Sequence, residues 1–245
     1  MKIAPFRFKQ FNVAHDKCAM KVNTDGVLLG AWVAWRLTAG KPAVELHHVP
    51  KQILDIGTGT GVLALMLAQN FHQSVVDAID IDEAAYLQAS ENFEASNWRS
   101  TLKAHHSPLQ NFFPEKKYNI IISNPPYFVN DLKGIIEQKN IAKHTITLNY
   151  EELILNCTRL LNEQGKLFLS IPAFNVELIQ SLAQKQTLFI TQKALVKSIE
   201  GKEPYLSLLC LEATKKDATE ESITIQQLSG GFTNEYKMLT GDYYL

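Results

Sequence analysis

Short apolar runs bounded by turn residues alternate along this chain with segments rich in helix formers. Gln52–Ile56 is such a run; it stops at a glycine cluster, and Val62–Ala68 follows with strong helix formers, which predicts strand, tight turn and helix. The rhythm repeats in Ser74–Ile81, a strand, and Asp82–Ala95, a helix with Asp82 as its N-cap and Glu83 in the first turn. Thr101–His105 is a weaker strand. Tyr118–Ser123 is a buried one, ending at Asn124-Pro125-Pro126 because consecutive prolines cannot continue a ladder. Further on, Asn149 caps a helix over Tyr150–Leu161, Leu167–Ile171 is a strand after the Gly165 turn, and Val176–Gln184 is helical. Leu188–Val196 and Leu206–Glu212 follow each other directly, as an antiparallel pair closing the sheet would. Strands alternating with helices imply right-handed crossovers, hence an α/β fold with a mostly parallel seven-stranded sheet, an antiparallel closing strand and helices on both faces.

Composition narrows the class. With 245 residues, 46% of them hydrophobic and 20% charged, the chain can bury one sizeable core without disulfides or metals. The longest near-continuous apolar stretch, Gly26–Trp35, is about half of what a membrane span needs. Pro5, Arg7 and Lys9 fall where a secretory signal requires an unbroken apolar core, so a cytoplasmic protein is expected. Cys18, Cys157 and Cys210 are far apart with no CxxC pair, which suggests neither a disulfide framework nor a zinc site; all three are expected reduced. We expect one domain over residues 1–245: an extension to residue 50, a core over 51–213 and a tail over 214–245. The net charge of -1 hides an asymmetry, with basic residues in excess over 1–50 and 111–150 and acidic ones over 51–110 and 151–245. The asymmetry matters to function only if the two positive segments meet at one site.

Asp55-Ile56-Gly57-Thr58-Gly59-Thr60-Gly61 follows a strand and opens a helix, where backbone approaches a ligand closely. The dinucleotide fingerprint fails because Val62 stands where its third glycine belongs, and no Gly-Lys-Ser/Thr completes a P-loop. What remains, D-x-G-x-G-x-G, resembles motif I of S-adenosylmethionine-dependent methyltransferases. A nucleoside cofactor needs an acceptor for its ribose hydroxyls, and Asp80, at the end of the second strand of this pattern, fits better than the helix cap Asp82. The third strand normally ends in an acidic residue for the adenine amino group. Here Ser107 and Pro108 stand there, and the Ser107 hydroxyl can still accept a hydrogen bond.

Asn124-Pro125-Pro126-Tyr127, at the C-terminal end of a strand, resembles the N-P-P-Y motif of methyltransferases that modify a planar nitrogen. An exocyclic amino group is a poor nucleophile because its lone pair is delocalised into the ring. Two acceptors, the Asn124 side-chain oxygen and the Pro125 main-chain oxygen, hold that nitrogen against the methyl donor; Pro126 stiffens the turn and Tyr127 offers a stacking face.

Three further segments are more specific: Met20 to Trp32 with its Thr24-Asp25-Gly26 core, Ala142-Lys143-His144, and the tail from Phe232 to Leu245. With the motifs above they make nearly the whole chain similar to the bacterial tRNA adenine-N6 methyltransferases that modify position 37 of a valine tRNA. Asn119, Lys143 and Phe232 depart from that family's usual Asp, Arg and Tyr. The resemblance implies a Rossmann-like class I methyltransferase fold, S-adenosylmethionine converted to S-adenosylhomocysteine, no metal, a tRNA partner, no membrane and no obligate protein partner. Around the cofactor it places Asp55, Gly57, Thr58, Gly59, Gly61, Asp80, Ile81, Ser107 and Asn124. Thr24 and Asp25 come near its amino-acid end, unless they only cap a helix. Lys21, Lys133, Lys139, Lys143 and His144 are the RNA-contact candidates, or else solvated surface residues. Ribosomal RNA, DNA adenine and a protein glutamine remain alternative substrates for the same motifs.

Overall fold

A computed structural model describes residues 4–38, 50–126 and 149–245. No helix among them is long and apolar enough to cross a membrane. A hairpin of β1 (Phe6–Arg7) and β2 (Asn12–Val13) leads into α1 (Thr24–Thr38). The alternating core follows: β3 (Gln52–Ile56), α2 (Val62–Asn70), β4 (Val75–Asp80), α3 (Glu83–Glu94), β5 (Leu102–His106) and β6 (Tyr118–Ser123). The chain then runs through α4 (Tyr150–Leu160), β7 (Leu161–Pro172), α5 (Val176–Lys185), β8 (Phe189–Ile199), β9 (Leu206–Glu212), β10 (Thr219–Gln226) and α6 (Asn234–Thr240).

One eight-stranded sheet carries the molecule, in the order β10-β8-β9-β7-β6-β3-β4-β5. Every neighbouring pair is parallel except the two made by β9, which is antiparallel to both β7 and β8. The mostly parallel sheet is the expected one, with one strand more than the seven expected. The antiparallel β9 lies inside the sheet, between β7 and β8, and β10 adds a parallel strand at the edge beyond β8. Thr219–Gln226 escaped notice because TEESITIQ has only Ile223 and Ile225 as apolar residues, and both are buried.

The strands read as continuous apolar runs because both faces are covered. Ile53, Ile120, Ile122 and Phe168 face one layer with Leu28, Trp32 and Leu65 of α1 and α2. Leu54, Ile121, Leu167 and Leu169 face the other, with Leu153, Cys157 and Ile179 of α4 and α5. Asp82 and Asn149 cap as expected, their side chains accepting from the Ala84 and Glu152 amides. Asn119, in place of the family's Asp, accepts from the Lys51 and Gln52 amides at 3.0 and 2.9 Å and so fixes the start of β3. The three cysteines are free and buried.

Both ends of the chain pack together. Phe8 stacks between Phe11 and Tyr244, and the Lys9 amide donates to the Tyr243 carbonyl. Between this hairpin and α1, the segment Cys18–Asn23 reaches the cavity at the C-terminal ends of the central strands.

Candidate active site

The turn from β3 into α2 is the floor of a cavity of about 370 Å³. Gly57 and Gly59 have φ of 68° and 54°, in the left-handed region, and a Cβ on either would meet nothing within 4 Å, so the backbone faces open cavity. Gly61 serves differently. Its φ is 81°, and a Cβ there would lie 2.5 Å from the Phe93 ring, so this glycine lets α2 and α3 approach rather than lining the cavity.

Two carboxylates hold the loop. Asp80, at the end of β4, accepts from the Gly59 amide at 2.8 Å through one oxygen and from the Asp82 amide at 3.0 Å through the other. Burial raises its pKa, against the pull of those two amides. Asp55 is wholly buried and accepts from the Thr58 hydroxyl at 2.6 Å, while its second oxygen has no partner. Burial pushes its pKa up to about 7. Asp55 does not line the cavity; it positions the loop from behind.

Adjacent strands supply the walls. Ile81 and Ser107 line the cavity beside Asp80, and the Ser107 amide donates to the Asp80 carbonyl at 2.9 Å. The Ser107 hydroxyl is 3.0 Å from the Pro108 carbonyl, which engages its proton and leaves its lone pairs able to accept. Across the floor, β6 ends in Ser123, whose hydroxyl donates to the Ile56 carbonyl at 2.8 Å, and Asn124, Pro125 and Pro126 complete the lining. The Asn124 side-chain oxygen is buried and has no hydrogen-bond partner among the described residues.

A strap over residues 14–23, which overlaps the start of the Met20–Trp32 segment, forms the remaining wall with Cys18, Met20, Lys21 and Asn23. It is seated on α3. Asn92 exchanges two hydrogen bonds of 2.9 Å with the backbone of Ala14 and donates to the Thr60 carbonyl of the glycine loop at 2.8 Å. Gln88 accepts from the Lys17 amide at 2.9 Å. Two polar residues four apart on the apolar face that holds Ala85, Ala89 and Phe93 were the signal for this seat. Burial pushes the Cys18 thiol to about 11, so an un-ionised thiol faces the cavity.

Thr24 and Asp25 stand in the first turn of α1. Three capping residue types stand in a row, and Asn23 takes the cap, its side chain accepting from the Gly26 amide at 2.8 Å. Thr24 and Asp25 do not line the cavity, whereas their neighbours Asn23 and Gly26 do. Asp25 instead accepts from the Tyr205 hydroxyl at 2.7 Å. Gly26 neighbours the Asn124-Pro125-Pro126 turn: a Cβ there would stand 3.6 Å from the Asn124 amide nitrogen. Lys21 lies exposed at the cavity mouth. Tyr127, Lys133, Lys139, Lys143 and His144 lie outside the described residues.

This arrangement can hold an elongated ligand against the glycine loop and present an amide acceptor to a second molecule. The fold is that of class I methyltransferases. It is shared with a predicted O-methyltransferase from Agrobacterium tumefaciens, at a TM-score of 0.65 and 15% identity over 89% of this chain and 96% of that one. It is shared also with a ribosomal protein L11 methylase from Lactobacillus delbrueckii subsp. bulgaricus, at a TM-score of 0.56 and 17% identity over 80% and 81%. The methyltransferase small domain family matches residues 43–185. A protein of Pedobacter heparinus is 39% identical over 98% of this chain and 97% of its own length, and one of Flavobacterium psychrophilum is 40% identical over 98% and 99%. Both carry the name tRNA1(Val) (adenine(37)-N6)-methyltransferase. The chain belongs to the methyltransferase small domain family and, within it, to the family of these two relatives.

Proposed function

We propose that this enzyme transfers a methyl group from S-adenosylmethionine to the N6 exocyclic amine of adenine 37 in the anticodon loop of a valine tRNA. The observation that carries the reading is the buried, unpartnered Asn124 oxygen at the end of β6, within one cavity with the glycine loop. A neutral carboxamide oxygen can only accept, and an exocyclic amine brings N–H donors to it.

The residues fit the cofactor. Gly57 and Gly59 leave room for its backbone-proximal part, Asp80 keeps lone pairs for ribose hydroxyls, and Ile81 and Ser107 flank the position of the base. S-adenosylmethionine supplies a methyl group already activated by its positive sulfur. The chain's work is positioning. Asn124 and the Pro125 carbonyl take the two N–H groups of the amine, which turns the nitrogen lone pair toward the methyl carbon and steadies the positive charge that grows on the nitrogen. Tyr127 stacks on the flipped base, and single-stranded loop RNA lets that base leave its neighbours at low cost. Lys21, Lys133, Lys139, Lys143 and His144 contact the RNA. Residues 1–50, 51–213 and 214–245 act as one methyltransferase unit without an obligate protein partner or a metal, and a tRNA substrate implies the cytoplasm.

Incubating the purified protein with S-adenosylmethionine and unmodified valine tRNA, then digesting to nucleosides for mass spectrometry, should give N6-methyladenosine mapped to position 37. Methyl transfer to ribosomal RNA, DNA or a glutamine peptide with none to tRNA would overturn the substrate assignment.

A further inference from the structure

The edge that carries Asn124 continues past it, through β7 and β9, to a second exposed surface. Phe174 follows the end of β7 and is 77% exposed; Leu178, one helical turn on at the start of α5, is 43% exposed, and Tyr205, just before β9, is 38% exposed. A single exposed aromatic is ordinary. Two aromatics and a leucine at the same end of the sheet as Asn124 are not explained by folding.

The mounting is specific. The turn of Ala173–Asn175 is fixed on one side by the Ala173 amide, which donates to the Tyr205 carbonyl at 3.1 Å. On the other side the Asn175 side chain donates to the Tyr150 hydroxyl at 3.4 Å. The Tyr205 hydroxyl is held by Asp25, in the first turn of α1, and the next residue, Gly26, is the one that abuts Asn124. Tyr205 is thus tied to α1 one residue before Gly26, which neighbours Asn124, and its carbonyl holds Ala173, the residue before Phe174. The glycine loop and Asp80, on β3 and β4, lie on the opposite side of β6.

We infer that Phe174 and Tyr205 form a stacking platform for a nucleotide adjacent to the target base. This rests on the RNA methyltransferase reading above and adds to it a subsite on the side away from the cofactor. A target adenine turned into the cavity leaves its neighbour in the strand unstacked at the mouth, and aromatic faces recover that lost stacking whatever the base. Tyr205 is pinned by its hydroxyl, so its ring is presented without loss of rotamer freedom on binding. Phe174, Tyr205 and Asp25 are positioning residues here, since none reaches the reacting atoms.

Two anticodon stem-loop RNAs test the platform, with 2-aminopurine replacing the nucleotide on the 5′ side of the target in one and on the 3′ side in the other. Stacking on an aromatic ring quenches the fluorescence of this base. Binding to the wild-type protein should quench one of the two probes, and Phe174→Ala should abolish that quenching. The KM for the unlabelled stem-loop should rise about tenfold in Phe174→Ala, equivalent to about 1.4 kcal/mol. Its kcat, melting temperature and S-adenosylmethionine affinity should stay at wild-type values, and Phe174→Trp should restore KM. Tyr205→Phe, which keeps the ring and cuts the bond to Asp25, should raise KM less. Quenching of neither probe, or quenching and KM unchanged in Phe174→Ala while the wild type methylates the stem-loop, overturns the platform alone. A wild type that methylates no adenine overturns the reading beneath it.

Discussion

At the glycine-loop end of the cavity, polar groups answer one another. Both Asp80 oxygens accept backbone amides, and Asp55 holds the Thr58 hydroxyl. At the other end, Asn124 offers an oxygen that is buried and unmatched. Asp55 also has one unmatched oxygen, but a carboxyl group can take up a proton, and its pKa near 7 shows that burial favours this. A carboxamide has no such recourse. On the proposed function, the cost of its burial, about 1–3 kcal/mol for an unpaired polar group, is relieved when the substrate amine donates to it. On that proposal the glycine-loop end is finished by folding, whereas the Asn124 end is completed by the substrate.

Asn124→Ala cuts most deeply into this contrast. Removing one preorganised polar group at a site of developing charge costs about 10²–10³ in rate, so single-turnover methylation of tRNA should fall by that factor. S-adenosylmethionine binding by calorimetry should persist. Wild-type single-turnover rates in this variant would mean that the N-P-P turn is only structural.

Asp80→Ala acts at the other end and should show the reverse split. Losing the ribose acceptor and the ties to the Gly59 and Asp82 amides should weaken S-adenosylmethionine binding by about 1–3 kcal/mol, with the single-turnover rate at saturating cofactor much less affected. Equal losses in both quantities would erase the distinction between the two ends.

Asp55→Asn, with the least effect on turnover, sharpens the comparison through stability. The Asp55 pKa is raised, so the folded protein keeps a proton that the unfolded chain releases near the ordinary carboxylate pKa. The stability carried by that proton is present in full below about pH 4 and is lost as pH rises through about 7. Urea unfolding across that range should show wild-type stability declining relative to Asp55→Asn. Parallel curves would mean that Asp55 is ionised in the folded protein throughout.

The sequence made the central strands legible because each apolar run there ends on residues that forbid continuation. Gln52–Ile56 stops at Gly57 and Tyr118–Ser123 at Asn124-Pro125-Pro126, and both strands form with those limits. β10 was not legible because it is held from a distance. The Trp32 indole and the Arg36 guanidinium both donate to Glu221, at 2.6 and 2.8 Å, and no local pattern in TEESITIQ encodes those partners. The same holds within the site. The glycine loop and Asp80 were identifiable from spacing, since their partners are near in the chain or one strand away. Asn23 displaced Thr24 and Asp25 because capping rules do not choose among three good caps in succession. Asp55 and Gly61 stand in the cofactor motif yet touch Thr58 and the Phe93 ring, a division of labour that only packing reveals.

The seat of the strap on Asn92 sets an order for making the enzyme. Ala14 and Lys17 leave the ribosome first, but their partners Asn92 and Gln88 lie 78 and 71 residues downstream. The carbonyl that receives the Lys9 side chain, at Gly241, is 232 residues downstream. Contacts of such long separation form late, because loop-closure entropy is spent before they reward it. During translation the glycine loop and Asp80 can assemble beside an N-terminal segment that still has nowhere to dock. The strap finds its seat only after α3 has been synthesised, so a nascent chain carries the glycine loop before the wall that encloses it, and the tie of Lys9 to Gly241 is made last of all.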